Sequence, residues 1–400
     1  MRMPFRTVHN TDVAFALHTL TKAWCSFAVK CGGHSRNPDF SNSVGGVTIN
    51  LRRMNSVKQR TNGSVAIIGG GAVLADVYTA LDPHNISSVG GRVGTVVLAD
   101  ATFVTVNEYQ HPDLYWALRG AGGGNFGVIT SFLVRTFPQD PLYSGRRSWN
   151  DTYTPQVADA VFDMYTTNDT NAQVDFYYGY VQASDSFSVA DSLRYLEAIQ
   201  NPSSLCVHRS DTRRDVGWIG QHLFQTTTTY PSRQWFQQSL QIFCEEISCF
   251  RNVSDFNPQI ISYTIPARAI RGMSDRGGNA LGLADMEGPL LITFLSAGWV
   301  RAEDDALVGS FFDRVFARLE DKSRQLNVYH PYKYISHGRL GEDIFSSYGV
   351  ENRERLVQVQ ESVDPKGIFT SSGLGRDGFK LRWMRICVNI FEAVQIARDS

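Results

Sequence analysis

The chain has 400 residues, of which 42% are hydrophobic and 19% charged, with 38 basic side chains against 39 acidic ones. That composition excludes a disordered chain and leaves room for two domains of ordinary size. A formal charge of -1 gives no basic excess to neutralise phosphates, so nucleic acid is not an expected partner.

The N-terminus, Met1 to Thr7, carries charge but lacks the apolar stretch of a secretory signal. Asn10-Thr11-Asp12 marks a helix start, and Val13, Ala16, Leu17 and Leu20 follow at helical spacing. Phe27 to Lys30 then reads as a short strand that runs into Gly32-Gly33-His34. Two glycines after a strand let successive N–H groups turn inward as an anion-holding nest. His34 thus places a nitrogen nucleophile beside a candidate phosphate cradle. Val47 to Leu51 alternates like a strand. Ser64 to Ile68 is another, ending in Gly69-Gly70-Gly71, after which Val73, Val77 and Leu81 predict a helix. This alternation gives an α+β or α/β domain.

Two glycine clusters invite a dinucleotide-binding reading, and context rejects both. Gly69 to Leu74 has leucine where a third glycine belongs; Gly122 to Gly127 matches G-x-G-x-x-G but leads into the strand Val128 to Val134. A pyrophosphate held by such glycines needs a helix N-terminus after them, so a Rossmann fold is disfavoured. No lysine follows in P-loop position.

After Phe137-Pro138 the glycine clusters stop and aromatics rise, which puts a boundary near residue 140. Val174 to Val181 predicts a tyrosine-rich strand whose aromatics are assigned to a core. Helices are expected over Ser192–Gln200, Ser232–Ile247 and Asp304–Leu319, the last with Leu307, Phe311, Val315 and Leu319 on one face. Strands are expected over Ile261–Ile270 and Leu290–Val300. The latter is the longest apolar run and about half the length of a spanning helix, so no membrane span is expected. A last helix carries Leu356, Val359 and Val363 and stops at Asp364-Pro365. The resulting division is 1–140, a roofing layer over 141–330, a segment 331–380 returning to the first domain, and an extension 381–400 of unknown role.

Six cysteines, Cys25, Cys31, Cys206, Cys244, Cys249 and Cys387, form no Cys-x-x-Cys pair, so neither a zinc site nor a redox motif is expected. Sequons at Asn62, Asn85, Asn150, Asn168 and Asn252 point to a glycoprotein of the secretory pathway or extracellular space.

Taken in order, Phe27 to Ser35, Gly46 to Leu51, Gly69 to Ala72, Val89 to Gly94, Asp113 to Thr130 and Tyr348 to Pro365 resemble the berberine-bridge-enzyme-like group of FAD-linked oxidoreductases, which carry a PCMH-type FAD-binding domain. The resemblance covers about residues 8 to 380. It implies an α+β fold: a two-subdomain FAD-binding domain over 1–140, shortened after Val96, and a substrate domain over 141–330 with an antiparallel sheet covered by helices. It implies FAD, joined covalently through His34, with Cys31, Gly32, Gly33 and Ser35 lending backbone groups to the pyrophosphate. Gly127 and Val128 match contacts to the adenine end, and Asn352 a residue near the flavin. The implied reaction is oxidation of an alcohol, sugar or specialised-metabolite C–H bond in secondary metabolism, with a small-molecule substrate and oxygen as acceptor.

His337 and Tyr348 are the candidate catalytic residues. His337 stands where the group has a tyrosine, an imidazole of ordinary pKa about 6.5 replacing a phenol near 10. Three departures stand out. Gly91 to Val96 runs directly into Val97 to Asp100, without the flavin-contacting turn and the cysteine of a second covalent link. Ala101 replaces a hairpin glycine, where a positive φ costs alanine about 1 kcal/mol. The group's first strand is missing at the N-terminus, and Leu381 to Ser400 runs past its usual end. These departures motivate the alternative, a catalytically impaired remnant of the same fold.

Overall fold

The computed structural model of the chain describes residues 3–60, 63–88, 93–139, 142–167, 172–195, 207–208 and 221–381. The first part is β1 (Met3–Arg6), α1 (Asn10–Lys22), β2 (Phe27–Lys30), β3 (Val47–Asn50), β4 (Val57–Arg60), β5 (Val65–Gly69), α2 (Leu74–Leu81), β6 (Ile86–Ser87), β7 (Val93–Val97), β8 (Phe103–Thr105), α3 (Pro112–Leu118), β9 (Val128–Arg135) and β10 (Phe137–Pro138). The second is β11 (Leu142–Asn150), α4 (Thr154–Thr166), β12 (Ala172–Val181), β13 (Ser186–Tyr195), β14 (Val207–His208), β15 (Gln221–Thr229), α5 (Arg233–Ile247), β16 (Asn257–Ile265), α6 (Ala267–Arg271), β17 (Leu290–Trp299), α7 (Asp305–Gln325), β18 (Tyr329–His330) and α8 (Val350–Val363).

The helix pattern at the N-terminus folds as its spacing dictates: Val13, Ala16, Leu17 and Leu20 are buried against Phe27, Ile49 and Leu51. The Asp12 carboxylate accepts from the backbone N–H groups of Val8 and His9 at 2.8 and 2.9 Å, which closes the first turn. β2 and β1 flank β3 in a parallel sheet, with Val29 and Phe5 both opposite Ile49. Met3–Arg6 is therefore a strand, contrary to the expectation that a first strand is missing: β3 offers a free edge, and the alternation of Phe5 against Ile49 fills it.

β4, β5, β9, β7 and β8 form an antiparallel sheet beside it. At the β7–β8 turn Ala101 has φ +69°, the strained geometry the sequence implies. From the far end of the chain, Ile368, Phe369 and Leu374 join the α1 core. Both Asp364 carboxylate oxygens hold that segment by accepting from Ile368 and Phe369 N–H at 2.7 and 2.8 Å.

The largest sheet has eight strands in the order β14-β11-β13-β12-β16-β17-β15-β18, and among the described residues its pairings are antiparallel. Alternation sorts its faces. Leu291, Leu295 and Ala297 face a core with α4, α5 and α7 that contains Trp235, Phe236, Phe243, Phe311 and Val315. Leu290 and Ile292 face a second core shared with α3, α8 and Tyr332, Phe345 and Tyr348. A wide aromatic layer of this kind supplies about 1.5–3 kcal/mol per fully buried large side chain.

Three local expectations are corrected. Ser192 to Tyr195 lies in β13, because pairing with β11 and β12 on both sides overrides the helical spacing; residues 196–200 lie outside the described ones. The strand expected to Ile270 ends at Ile265, where Pro266 starts α6. On α7 the buried row begins at Val308, and Leu307 is 43% exposed. Asn85, Asn150 and Asn252 are exposed, while Asn62 and Asn168 lie outside the described residues, as do Val89 to Arg92. Among the described residues no helix is long and apolar enough to cross a membrane, and no group of three or more His, Cys, Asp or Glu side chains is placed to hold a metal.

Candidate active site

β2 delivers the chain into the turn Cys31 to Ser35, and Gly33 makes that turn with φ +76°. The Cys31 thiol donates to the Ala72 carbonyl at 3.5 Å, tying this turn to the one after β5; burial pushes its pKa up. Among the described residues the backbone N–H groups of Gly33, His34 and Ser35 find no acceptor, nor do those of Gly122, Gly123 and Gly124. Unsatisfied N–H groups along turns of this kind form an anion nest.

The two turns line one cavity of about 460 Å³ with Val29, Asn37, Phe40, Ile335 and Asp377 to Phe379. That volume lies within the roughly 300–1,000 Å³ typical of ligand and cofactor pockets. His34 and Ser35 are exposed at its lining. Its glycine wall is built by backbone contact: a Cβ at Gly124 would stand 2.1 Å from the Asp377 carbonyl oxygen, and one at Gly378 2.1 Å from that of Gly123. Beneath it, Lys380 donates to the carbonyls of Gly124 at 2.9 Å, Phe369 at 2.7 Å, and Asp377. Burial lowers the Lys380 pKa to about 8 and raises that of the Asp377 carboxyl, whose Oδ1 is buried without a partner.

Next to the Ile335–Ser336 part of the lining lies an aromatic cluster. His337 sits in the 3₁₀ turn Ile335–His337, stacked on Phe294 with centroids 4.0 Å apart. Phe224, Tyr334 and Tyr263 meet its ring edge-on at 5.5, 5.2 and 6.3 Å. Tyr263 Oη lies 3.1 Å from His337 Nδ1. Burial first, and the charge of His34 second, hold the His337 pKa down to about 4. Asn37 joins the walls: its side chain donates to the Gly338 carbonyl and accepts from Leu340 N–H, both at 2.9 Å.

The structure therefore brings His34, Ser35 and the Ile335–His337 turn together. It places the other candidates elsewhere. The Tyr348 hydroxyl donates to the Gly120 carbonyl at 2.9 Å, and its ring stacks on Tyr332 in the core, where burial raises its pKa well above that of a free phenol. Asn352 donates to the Tyr348 carbonyl at 3.0 Å. Gly127 packs against β7, where a Cβ would stand 2.7 Å from Val96 and Val97 atoms, and Val128 is core. Sequence reasoning missed Asp377, Lys380, Tyr263, Phe224 and Phe294. The glycines at 373, 375 and 378 signal the first two, while nothing local marks the aromatics.

These residues fit a bound dinucleotide. Two runs of unsatisfied N–H groups, a wall that a single Cβ would disrupt and an exposed imidazole at the rim are what a phosphate-bearing cofactor with a reactive ring requires.

Comparison with known proteins agrees. Residues 5–99 match the FAD binding domain family. An FAD-dependent monooxygenase of Fusarium proliferatum is 29% identical over 90% of this chain and 81% of its own length, and one of Cochliobolus heterostrophus is 27% identical over the same shares. Among solved structures, a variant of berberine bridge enzyme in complex with (S)-reticuline has a TM-score of 0.70 at 14% identity, covering 95% of this chain and 89% of that one. Xylooligosaccharide oxidase from Myceliophthora thermophila, in complex with xylobiose, has a TM-score of 0.71 at 17% identity, covering 94% and 92%. The chain therefore carries an FAD binding domain, shares the fold of berberine bridge enzyme, and over most of its length is similar to FAD-dependent oxidoreductases.

Proposed function

We propose that the chain oxidises a C–H bond of an alcohol, a sugar or a specialised metabolite, with FAD attached through His34 and oxygen as electron acceptor. The observation that carries this reading is the juxtaposition of an exposed imidazole with two turns whose N–H groups have no acceptor, at one cavity. The flavin supplies the redox chemistry by accepting the substrate's hydride. Gly33, His34 and Ser35 would hold it from one side, Gly122 to Gly124 from the other, and Asp377 would offer its partnerless Oδ1 to a polar hydrogen of the bound group. His337, which follows Ile335 and Ser336 of the lining, is the titratable side chain assigned to the substrate side. Tyr348, with its hydroxyl committed to Gly120, supports the fold beneath.

The division follows: an FAD-binding part over 1–140, a substrate part over 141–330, and residues 331–380 returning to close the cavity with Ile335, Ser336 and Asp377. The relatives are FAD-dependent monooxygenases of fungi, which favours a specialised metabolite as substrate. The test is purification after expression with ample riboflavin. The reading predicts yellow protein whose flavin stays with the precipitate in acid; colourless protein contradicts it and favours the impaired remnant.

A further inference from the structure

Tyr263, on β16, and His337 meet across 74 positions of chain, with the phenol oxygen 3.1 Å from Nδ1. The imidazole plane is fixed by stacking on Phe294, at an interplanar angle of 15°, and by the edge contacts of Phe224 and Tyr334. Turning the ring over would exchange Nδ1 for a C–H group and break the contact with Tyr263. Ring orientation is therefore set, and the position of the proton remains.

Two arrangements satisfy a 3.1 Å contact. In one, Nδ1–H donates to the phenol; in the other, the phenol O–H donates to Nδ1. Among the described residues Tyr263 Oη has no other acceptor. If it accepted from Nδ1–H, its own half-buried hydroxyl hydrogen would have no protein acceptor. A phenol O–H is also the stronger donor and an imidazole nitrogen the stronger acceptor. Burial keeps His337 neutral at pH 7, and a neutral imidazole carries one N–H. With Nδ1 accepting, that hydrogen sits on Nε2, which has no partner among the described residues and is not sealed from solvent.

We infer that Tyr263 is a positioning residue that holds His337 in its Nε2–H tautomer, so that His337 donates a hydrogen bond to an acceptor oxygen of the bound ligand instead of removing a proton at Nε2. This rests on the proposed function above. The ligand chemistry it selects is a carbonyl, carboxylate or phenolate oxygen, from the substrate or from the flavin itself.

The test is ¹H–¹⁵N correlation of the flavin-containing protein with ¹⁵N-labelled histidine at pH 7.5, the His337 signals being assigned by their loss in His337→Asn. The expected pattern has a protonated Nε2 and a non-protonated Nδ1 shifted by its hydrogen bond. Tyr263→Phe removes the donor and is expected to give averaged signals of two exchanging tautomers, while flavin content and melting temperature stay at the parent values. An Nδ1–H tautomer in the parent protein overturns the inference, and so does an unchanged Nε2–H tautomer in Tyr263→Phe. Adding benzoate distinguishes the two sources of the oxygen. A shifted Nε2–H signal before addition assigns it to the flavin, a shift only after addition to the substrate side, and no shift in either state overturns the donor role. Colourless parent protein would sink the proposed function, whereas a wrong tautomer in yellow protein sinks only this inference.

Discussion

On the His34 side of the cavity the chain is held by its backbone. Gly124 and Gly378 allow main chains to approach where a Cβ would stand 2.1 Å from a carbonyl, and one buried lysine gathers three carbonyls from two distant segments. On the His337 side it is held by rings: an imidazole stacked on one phenylalanine and edged by three more aromatics, on a sheet whose faces sort by simple alternation. The first arrangement leaves N–H groups free for a ligand. The second orients one polar group. Substitutions are therefore expected to have larger effects on the backbone side than on the aromatic side.

The largest effect is expected at His34. His34→Ala leaves the fold untouched, since the side chain is exposed, but eliminates acid-stable flavin; visible absorbance of the acid-precipitated protein checks this. Retained acid-stable flavin would move the attachment elsewhere.

Next comes Lys380→Met, which keeps the volume and removes the donor to three carbonyls. It is expected to destabilise the protein by about 2 kcal/mol at pH 7, because buried carbonyls left without a donor cost about 1–3 kcal/mol each and relief of a buried charge offsets part of that. The pH dependence has a definite sign. The folded-state pKa of about 8 lies below the ordinary 10.5, so the unfolded chain binds the proton more tightly, and this lysine's contribution to stability rises as pH goes from about 8 to 10.5. The gap between parent and variant, measured by urea unfolding, should widen over that window; a constant gap would show that the amine is not desolvated.

What the sequence made legible divides along the same line. The strand into Gly32-Gly33-His34 is local, so residue type alone announced a glycine turn, which Gly33 makes at φ +76°. Ala101 at φ +69° was equally legible, because a hairpin without its glycine has one geometry available. The α+β class and the antiparallel sheet under helices followed from periodicity and from the family resemblance. The surroundings of His337 were not legible, since Phe224, Tyr263 and Phe294 reach it from three strands and no spacing rule joins them. The strand at Ser192 was misread because its helical spacing yields only to partners on both sides, which a single segment does not reveal. Nor does Lys380 announce its burial from its own sequence neighbourhood.

A smaller effect is expected on the aromatic side. Phe294→Leu removes the stacked partner of His337 but keeps the position apolar, and should cost about 1 kcal/mol of stability with flavin content unchanged. Loss of flavin in this variant would erase the distinction between the two walls. The smallest is Ala101→Gly, expected to stabilise by up to about 1 kcal/mol in thermal or urea unfolding through relief of the positive φ, offset in part by the added freedom of glycine in the unfolded chain.

The most direct measurement is mass spectrometry of the tryptic peptide Cys31–Arg36, which trypsin releases after Lys30 and Arg36. The account predicts that this peptide carries a flavin adduct that fragments to His34. An unmodified peptide from yellow protein would contradict attachment through this histidine.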